Sequence, residues 1–82
     1  MLDNAQVFRT LNERIAAREQ SRLEIVCECG EEACTEPVVI TPVEFSEVRR
    51  HRGWYVVRPG HERHERVIEK QLAFLVVEKF AA

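Results

Sequence analysis

Three cysteines, Cys27, Cys29 and Cys34, fall within one short stretch of an 82-residue chain. That clustering constrains the fold more than any other feature. A domain of this length hides only about 60% of its unfolded surface, so a staple compensates for core that the chain cannot build. Three thiols cannot all pair, and a Cys27–Cys29 bridge would close a strained ring. Residues 1–22 carry Asp3, Arg9, Glu13, Arg14, Arg18, Glu19 and Arg22 and no apolar segment of the kind an export signal needs. The expected compartment is therefore the cytosol, where disulfides rarely persist. Clustered thiols in that setting point to a metal or to redox chemistry.

The spacing Cys27-x-Cys29-x4-Cys34 favours zinc, which prefers thiolates in a tetrahedron with Zn–S near ~2.3 Å. Alternate residues of a strand face the same way, so Cys27 and Cys29 can point at one ion, and a turn at Gly30 can bring Cys34 back. A closed site needs a fourth donor. His61, just past Pro59-Gly60, is the best placed, with His64 and His51 behind it. The competing readings are three inert, half-buried thiols, since free cysteine packs as a small hydrophobe, and a reactive redox thiol. The surroundings oppose the second. Residues 23–36 hold Glu24, Glu28, Glu31, Glu32 and Glu36 and no basic residue, a local charge of −5 in a chain whose total is −2. Carboxylates raise a thiol pKa and suppress the thiolate.

Period and punctuation give the elements. Asp3 with Gln6 makes a capping-box-like start, and Val7, Phe8, Leu11 and Ile15 follow helical spacing, predicting a helix to about residue 20. The stripe Val7, Leu11, Ile15 reads as core rather than as a dimer seam. From Leu23 the period becomes two: Leu23, Ile25, Cys27 and Cys29 share one face, and Glu24, Val26 and Glu28 the other. With Pro37–Ile40 as its second strand, this is a hairpin with thiols at its tip. Thr41-Pro42-Val43-Glu44 combines an N-cap threonine, a proline at the first helical position and a glutamate at the third. The short helix it opens buries Phe45 and Val48 and ends with Gly53 as a left-handed stop. Trp54–Val57 returns to strand. Residues 65–79 read as two more strands, with a C-terminal helix as the alternative, because Ile68, Leu72, Leu75 and Val76 also fit helical spacing and no turn residue stands near Gln71.

Other motifs carry less. His61-Glu62-Arg63-His64 has H-E-x-H spacing, not the H-E-x-x-H of a metalloprotease helix. Arg49-Arg50-His51-Arg52 before Trp54-Tyr55 is a basic cluster beside aromatics. It could contact nucleic acid through Arg49, Arg50 and Arg52; the plainer reading is a cationic helix end with Trp54 in the core. No nucleophile triad or phosphate loop is present, and so short a chain has little volume for a catalytic pocket, so no enzymatic activity is expected. No apolar run approaches the ~20 residues of a membrane span.

Taken together, Asn12-Glu13-Arg14-Ile15, Cys27-Glu28-Cys29, Cys34, the Thr41–Arg49 helix with its Glu44-Phe45, Pro59-Gly60-His61 and Val76-Val77-Glu78-Lys79 give a pattern running nearly the length of the chain. It resembles a family of small uncharacterised proteins of actinobacterial type. The resemblance implies that His61, rather than His51 or His64, is the fourth ligand, and it implies no known activity. The chain departs from the family at Lys70-Gln71-Leu72-Ala73, where similar proteins carry a polar, glycine-containing turn.

The expectation is a single zinc-stabilised α+β domain over residues 1–82. It comprises an N-terminal helix within 1–22 packing on the rest, a zinc-knuckle-like hairpin, a short capped helix and three short antiparallel strands. Cys27, Cys29, Cys34 and His61 bind zinc in a structural role. The expected activity is a protein-interaction or regulatory module with an unidentified protein partner. A redox or metal sensor and a nucleic-acid binder are the alternatives, and a homodimer, or iron or cobalt in place of zinc, is left open.

Overall fold

The computed structural model describes residues 4–18, 21–31, 33–63 and 65–79. Helix α1 (Asn4–Ala16) leads into strand β1 (Leu23–Val26), which pairs antiparallel with β2 (Pro37–Ile40). Helix α2 (Pro42–Arg49) follows, then β3 (Trp54–Val57), β4 (Arg66–Lys70) and β5 (Leu75–Glu78), which form a second antiparallel sheet in the order β3-β5-β4. This is the expected α+β architecture, with the helices and strands in the expected order.

The core explains the order of the second sheet. Phe74, Leu75, Val76 and Val77 are all buried, as suits a central strand covered on both faces. A continuous apolar run is the mark of such a strand. It overturns the alternative of a C-terminal helix: the helical spacing would have placed Leu72 inside, yet Leu72 is fully exposed. The turn between β4 and β5 closes without a glycine, by a Gln71 N–H to Phe74 carbonyl bond of 2.8 Å. A bulge between Val67 and Glu69 adjusts the register.

Helix α2 starts as its sequence predicts. Thr41 is the N-cap; the Glu44 N–H donates to its hydroxyl at 3.2 Å and the Thr41 N–H donates to the Glu44 carboxylate at 3.0 Å. Phe45 and Val48 are buried. The helix ends differently. Gly53 is not in the left-handed region; the Arg50 and His51 amides fold back onto the Glu47 and Val48 carbonyls, so no reversal by glycine is needed. Gly53 matters for closeness instead, because a Cβ there would stand 3.1 Å from the Lys79 carbonyl oxygen.

Two further expectations are corrected. The apolar stripe of α1 is not its inner face: Val7 and Leu11 are exposed, Ile15 is half-buried, and Ala5 and Asn12 are the fully buried positions. The helix docks through a polar residue, for the reason given below. Trp54 is half-buried and stacks on His51 with ring centroids 3.6 Å apart, at the edge of the core rather than within it. The Asp3 end of the predicted capping box lies outside the described residues, as do residues 19 and 20 at the predicted end of α1.

Candidate metal centre

The β1–β2 connection carries the three thiols. A last ladder bond, Cys27 N–H to the Glu36 carbonyl at 2.9 Å, fixes the root of that connection. Gly30 then turns the chain with φ of +89°, a conformation that costs a side-chain-bearing residue about 1–2 kcal/mol. The Cys34 amide donates to the Glu31 carbonyl at 3.1 Å, which folds the third thiol back toward the first two. The second contribution arrives from far along the chain. Beyond β3, Pro59-Gly60 reverses direction with Gly60 at φ +93° and a His61 N–H to Arg58 carbonyl bond of 2.9 Å. Both left-handed glycines thus adjoin a thiol or the histidine of the cluster.

These turns bring Cys27, Cys29, Cys34 and His61 together, with all four ligand atoms within 4.8 Å of one another. His61 Nδ1 lies 3.5 Å from both the Cys27 and the Cys34 sulfur. In a tetrahedron with Zn–S of ~2.3 Å and Zn–N of ~2.0 Å, the sulfur–nitrogen edge is about 3.5 Å and the sulfur–sulfur edge about 3.8 Å. The spacing is compatible with a metal ion at the centre of the group. Cys27 and Cys29 are buried and Cys34 and His61 half-buried. Desolvation by burial pushes the Cys27 thiol up to about 12, against the pull of hydrogen bonds from the backbone of Arg58 and Cys29. A neutral thiol is what burial favours; a cation reverses that preference by stabilising the thiolate.

The surroundings hold the two segments in register. The Arg58 amide donates to the Cys27 sulfur at 3.2 Å. Arg58 pairs with Glu36 at 3.1 Å, and Arg63 pairs with Glu31, so two arginines of the histidine segment meet two glutamates of the cysteine segment. Lys79 donates to the Cys29 carbonyl at 3.0 Å. The acidic stretch around the thiols therefore serves the join between segments, which the charge count alone did not reveal.

Of the described histidines, His61 is the one in the group. His51 stacks on Trp54 away from it, and His64 lies outside the described residues. Comparison of the chain with protein-family models, with curated proteins and with solved structures gives no match. The functional reading therefore rests on geometry and chemistry. Among the described residues no helix is long and apolar enough to cross a membrane.

Sequence reasoning missed Glu28. The two-residue period places it outward with Glu24 and Val26, but its side chain is fully buried. The strand ends at Val26, and the Glu28 amide leaves the hairpin to bond the Val56 carbonyl of β3 at 2.9 Å. One carboxylate oxygen accepts from the Val56 amide at 2.9 Å; the other accepts from the Asn12 amide nitrogen at 2.7 Å and from the Arg49 guanidinium. Arg49 accordingly turns inward, with its guanidinium 4.5 Å above the Phe45 ring, and is not displayed to solvent as a phosphate contact would be. Arg50 is exposed and pairs with Glu47 at 3.3 Å, and Arg52 is exposed. The three arginines do not form one surface. A glutamate between two closely spaced thiols was the available signal, since a charge there needs a partner if the thiols are to be buried.

Proposed function

We propose that Cys27, Cys29, Cys34 and His61 hold one zinc ion in a closed tetrahedral site, and that the ion is structural in a small regulatory or protein-interaction module. The observation that carries the reading is the convergence of four donors from segments about thirty residues apart, with sulfur–nitrogen spacings of 3.5 Å, the edge that zinc requires. Three thiolates and an imidazole are the soft-to-borderline donor set that selects zinc over magnesium or calcium. Four protein donors leave no open position for water or substrate, which separates this reading from a catalytic zinc.

The test is metal content per chain, by elemental analysis, for the native protein beside Cys27→Ser and His61→Ala. One zinc per native chain and its loss in both variants is the expected result. Loss in the first with full retention in the second moves the fourth ligand elsewhere; no metal in carefully purified native protein overturns the reading. Half-exposed Cys34 favours one second reading, release of the ion on oxidation. Mild hydroperoxide in the presence of a zinc-release dye separates the two, since a purely structural site stays loaded.

A further inference from the structure

The buried Glu28 carboxylate has no part in holding the metal, yet it stands between two of the proposed ligands and gathers every neighbouring element. Its amide and one oxygen complete the hydrogen bonds of Val56 on β3. Its other oxygen meets Asn12 of α1 and Arg49 of α2. Asn12 in turn treats the edge of β1 as a strand would. Its side-chain amide donates to the Val26 carbonyl at 2.8 Å and accepts from the Val26 amide at 2.9 Å. Residues 26 and 28, on either side of Cys27, are thus clamped by one asparagine. Arg49 extends the join to α1, with its guanidinium 3.5 Å from the Arg9 carbonyl oxygen.

Helix α1 docks with few large apolar side chains. Val7 and Leu11 are exposed, Ile15 packs on the core only half-buried beside Ala5 and Ala16, and the fully buried positions are Ala5 and Asn12. Arg9 adds bonds to the His51 and Arg52 carbonyls and lies 4.8 Å over the Tyr55 ring. An ordinary surface helix is held by an apolar stripe that is indifferent to small shifts beneath it. Hydrogen bonds are not indifferent, because they weaken steeply with distance and angle. The docking of α1 depends on where residues 26–28 sit, and the proposed ion fixes those residues through Cys27 and Cys29.

We infer that Glu28 is a positioning residue that couples the metal centre to the docking of α1. It holds the Cys27–Cys29 backbone in ligand geometry from one side, and it holds Asn12 and Arg49 from the other. The inference rests on the metal reading above. By linkage, whatever factor the ion contributes to helix docking, docked α1 contributes to metal affinity. Partners beyond the ligands typically carry 10–100-fold of a site's affinity.

The experiment uses the full chain loaded with zinc, with affinity measured by competition against a chromophoric chelator and backbone amide exchange followed in α1 and β5. Three variants are compared: Glu28→Gln, Asn12→Ala and, as a control for plain destabilisation, Val77→Ala in the buried centre of β5. The expected result is that Glu28→Gln and Asn12→Ala still bind one zinc at saturation. Their affinity falls about 10–100-fold, and α1 amides lose protection while β5 amides keep theirs. Val77→Ala lowers protection throughout and leaves the relative exposure of α1 unchanged. Should Glu28→Gln fail to fold, Asn12→Ala gives the same readout, since it removes one arm and leaves the Glu28–Arg49 pair intact. Wild-type affinity and α1 protection in a metal-bearing Asn12→Ala overturn the coupling alone. An affinity loss in Val77→Ala equal to that of the other two overturns it as well. A native chain that takes up no zinc overturns the metal reading first and the coupling with it.

Discussion

Stripping the metal with a strong chelator is expected to lower the melting temperature of the native protein by roughly 16–32 °C. The figure follows from the join the proposed ion would make. Among the described residues, the ties from the cysteine segment to residues 58–63 themselves are the exposed pairs Arg58–Glu36 and Arg63–Glu31 and the bond from the Arg58 amide to the Cys27 sulfur, beside the two bonds that join Glu28 to Val56 just before them. Exposed ion pairs contribute about 0–1 kcal/mol each. An ion present at a thousand times its dissociation constant contributes about 4 kcal/mol to the state that binds it. A domain of this length carries only roughly 4–12 kcal/mol of net stability, and each kcal/mol moves its midpoint by about 4–8 °C. The proposed ion would therefore match the lower end of that net stability. The assay is a thermal melt followed by circular dichroism, run with metal, with chelator, and after zinc is restored. His61→Ala should melt where the chelated native protein does, with no further response to chelator. A chain shown to carry one zinc whose midpoint moves by less than about 3 °C on chelation would refute the reasoning, because the ion would then be an ornament on a fold stable without it.

Arg49→Ala leaves the fully buried Glu28 carboxylate without its cation and should cost about 3–5 kcal/mol, whereas Arg50→Ala removes an exposed pair and should cost at most about 1 kcal/mol; urea titration of both distinguishes them, and equal effects would contradict the inward placement of Arg49. Gly60→Ala imposes about 1–2 kcal/mol of left-handed strain beside His61, so zinc affinity should fall while the second sheet keeps its amide protection; unchanged affinity would show that the turn is not what aims the histidine. Zinc uptake requires thiolates, and Cys27, pushed up to about 12 by burial, is a neutral thiol in the metal-free chain at pH 7. Loading should therefore release protons into weakly buffered solution, and apparent affinity should fall as pH falls; calorimetry in buffers of different ionisation enthalpy measures the number released, and a value of zero contradicts thiolate ligation.

The sequence alone determined what local chemistry enforces. Thr41-Pro42-Val43-Glu44 starts a helix because capping hydrogen bonds need residues only three apart. The Cys27–Cys29–Cys34 spacing marked one end of the candidate site because thiols so close in sequence need only one glycine turn to gather. Tertiary structure decided the rest. The sequence of residues 65–79 fits either two strands or a helix, and it is the burial of Phe74–Val77 between two neighbouring strands that decides for a central strand. Val7 and Leu11 satisfy helical periodicity yet face outward, because the inner face of α1 is built from Ala5, Ile15 and Ala16 with the buried Asn12 amide reaching an edge strand and a carboxylate, an arrangement that periodicity cannot register. Glu28 obeys the strand's alternation on paper and violates it in space, because the strand stops two residues earlier to complete the hydrogen bonds of β3. The approach of His61 to the thiols depends on a reversal more than thirty residues downstream of Cys27. Spacing could nominate that histidine, but only the packing of two separate turns brings its nitrogen to within 3.5 Å of sulfur.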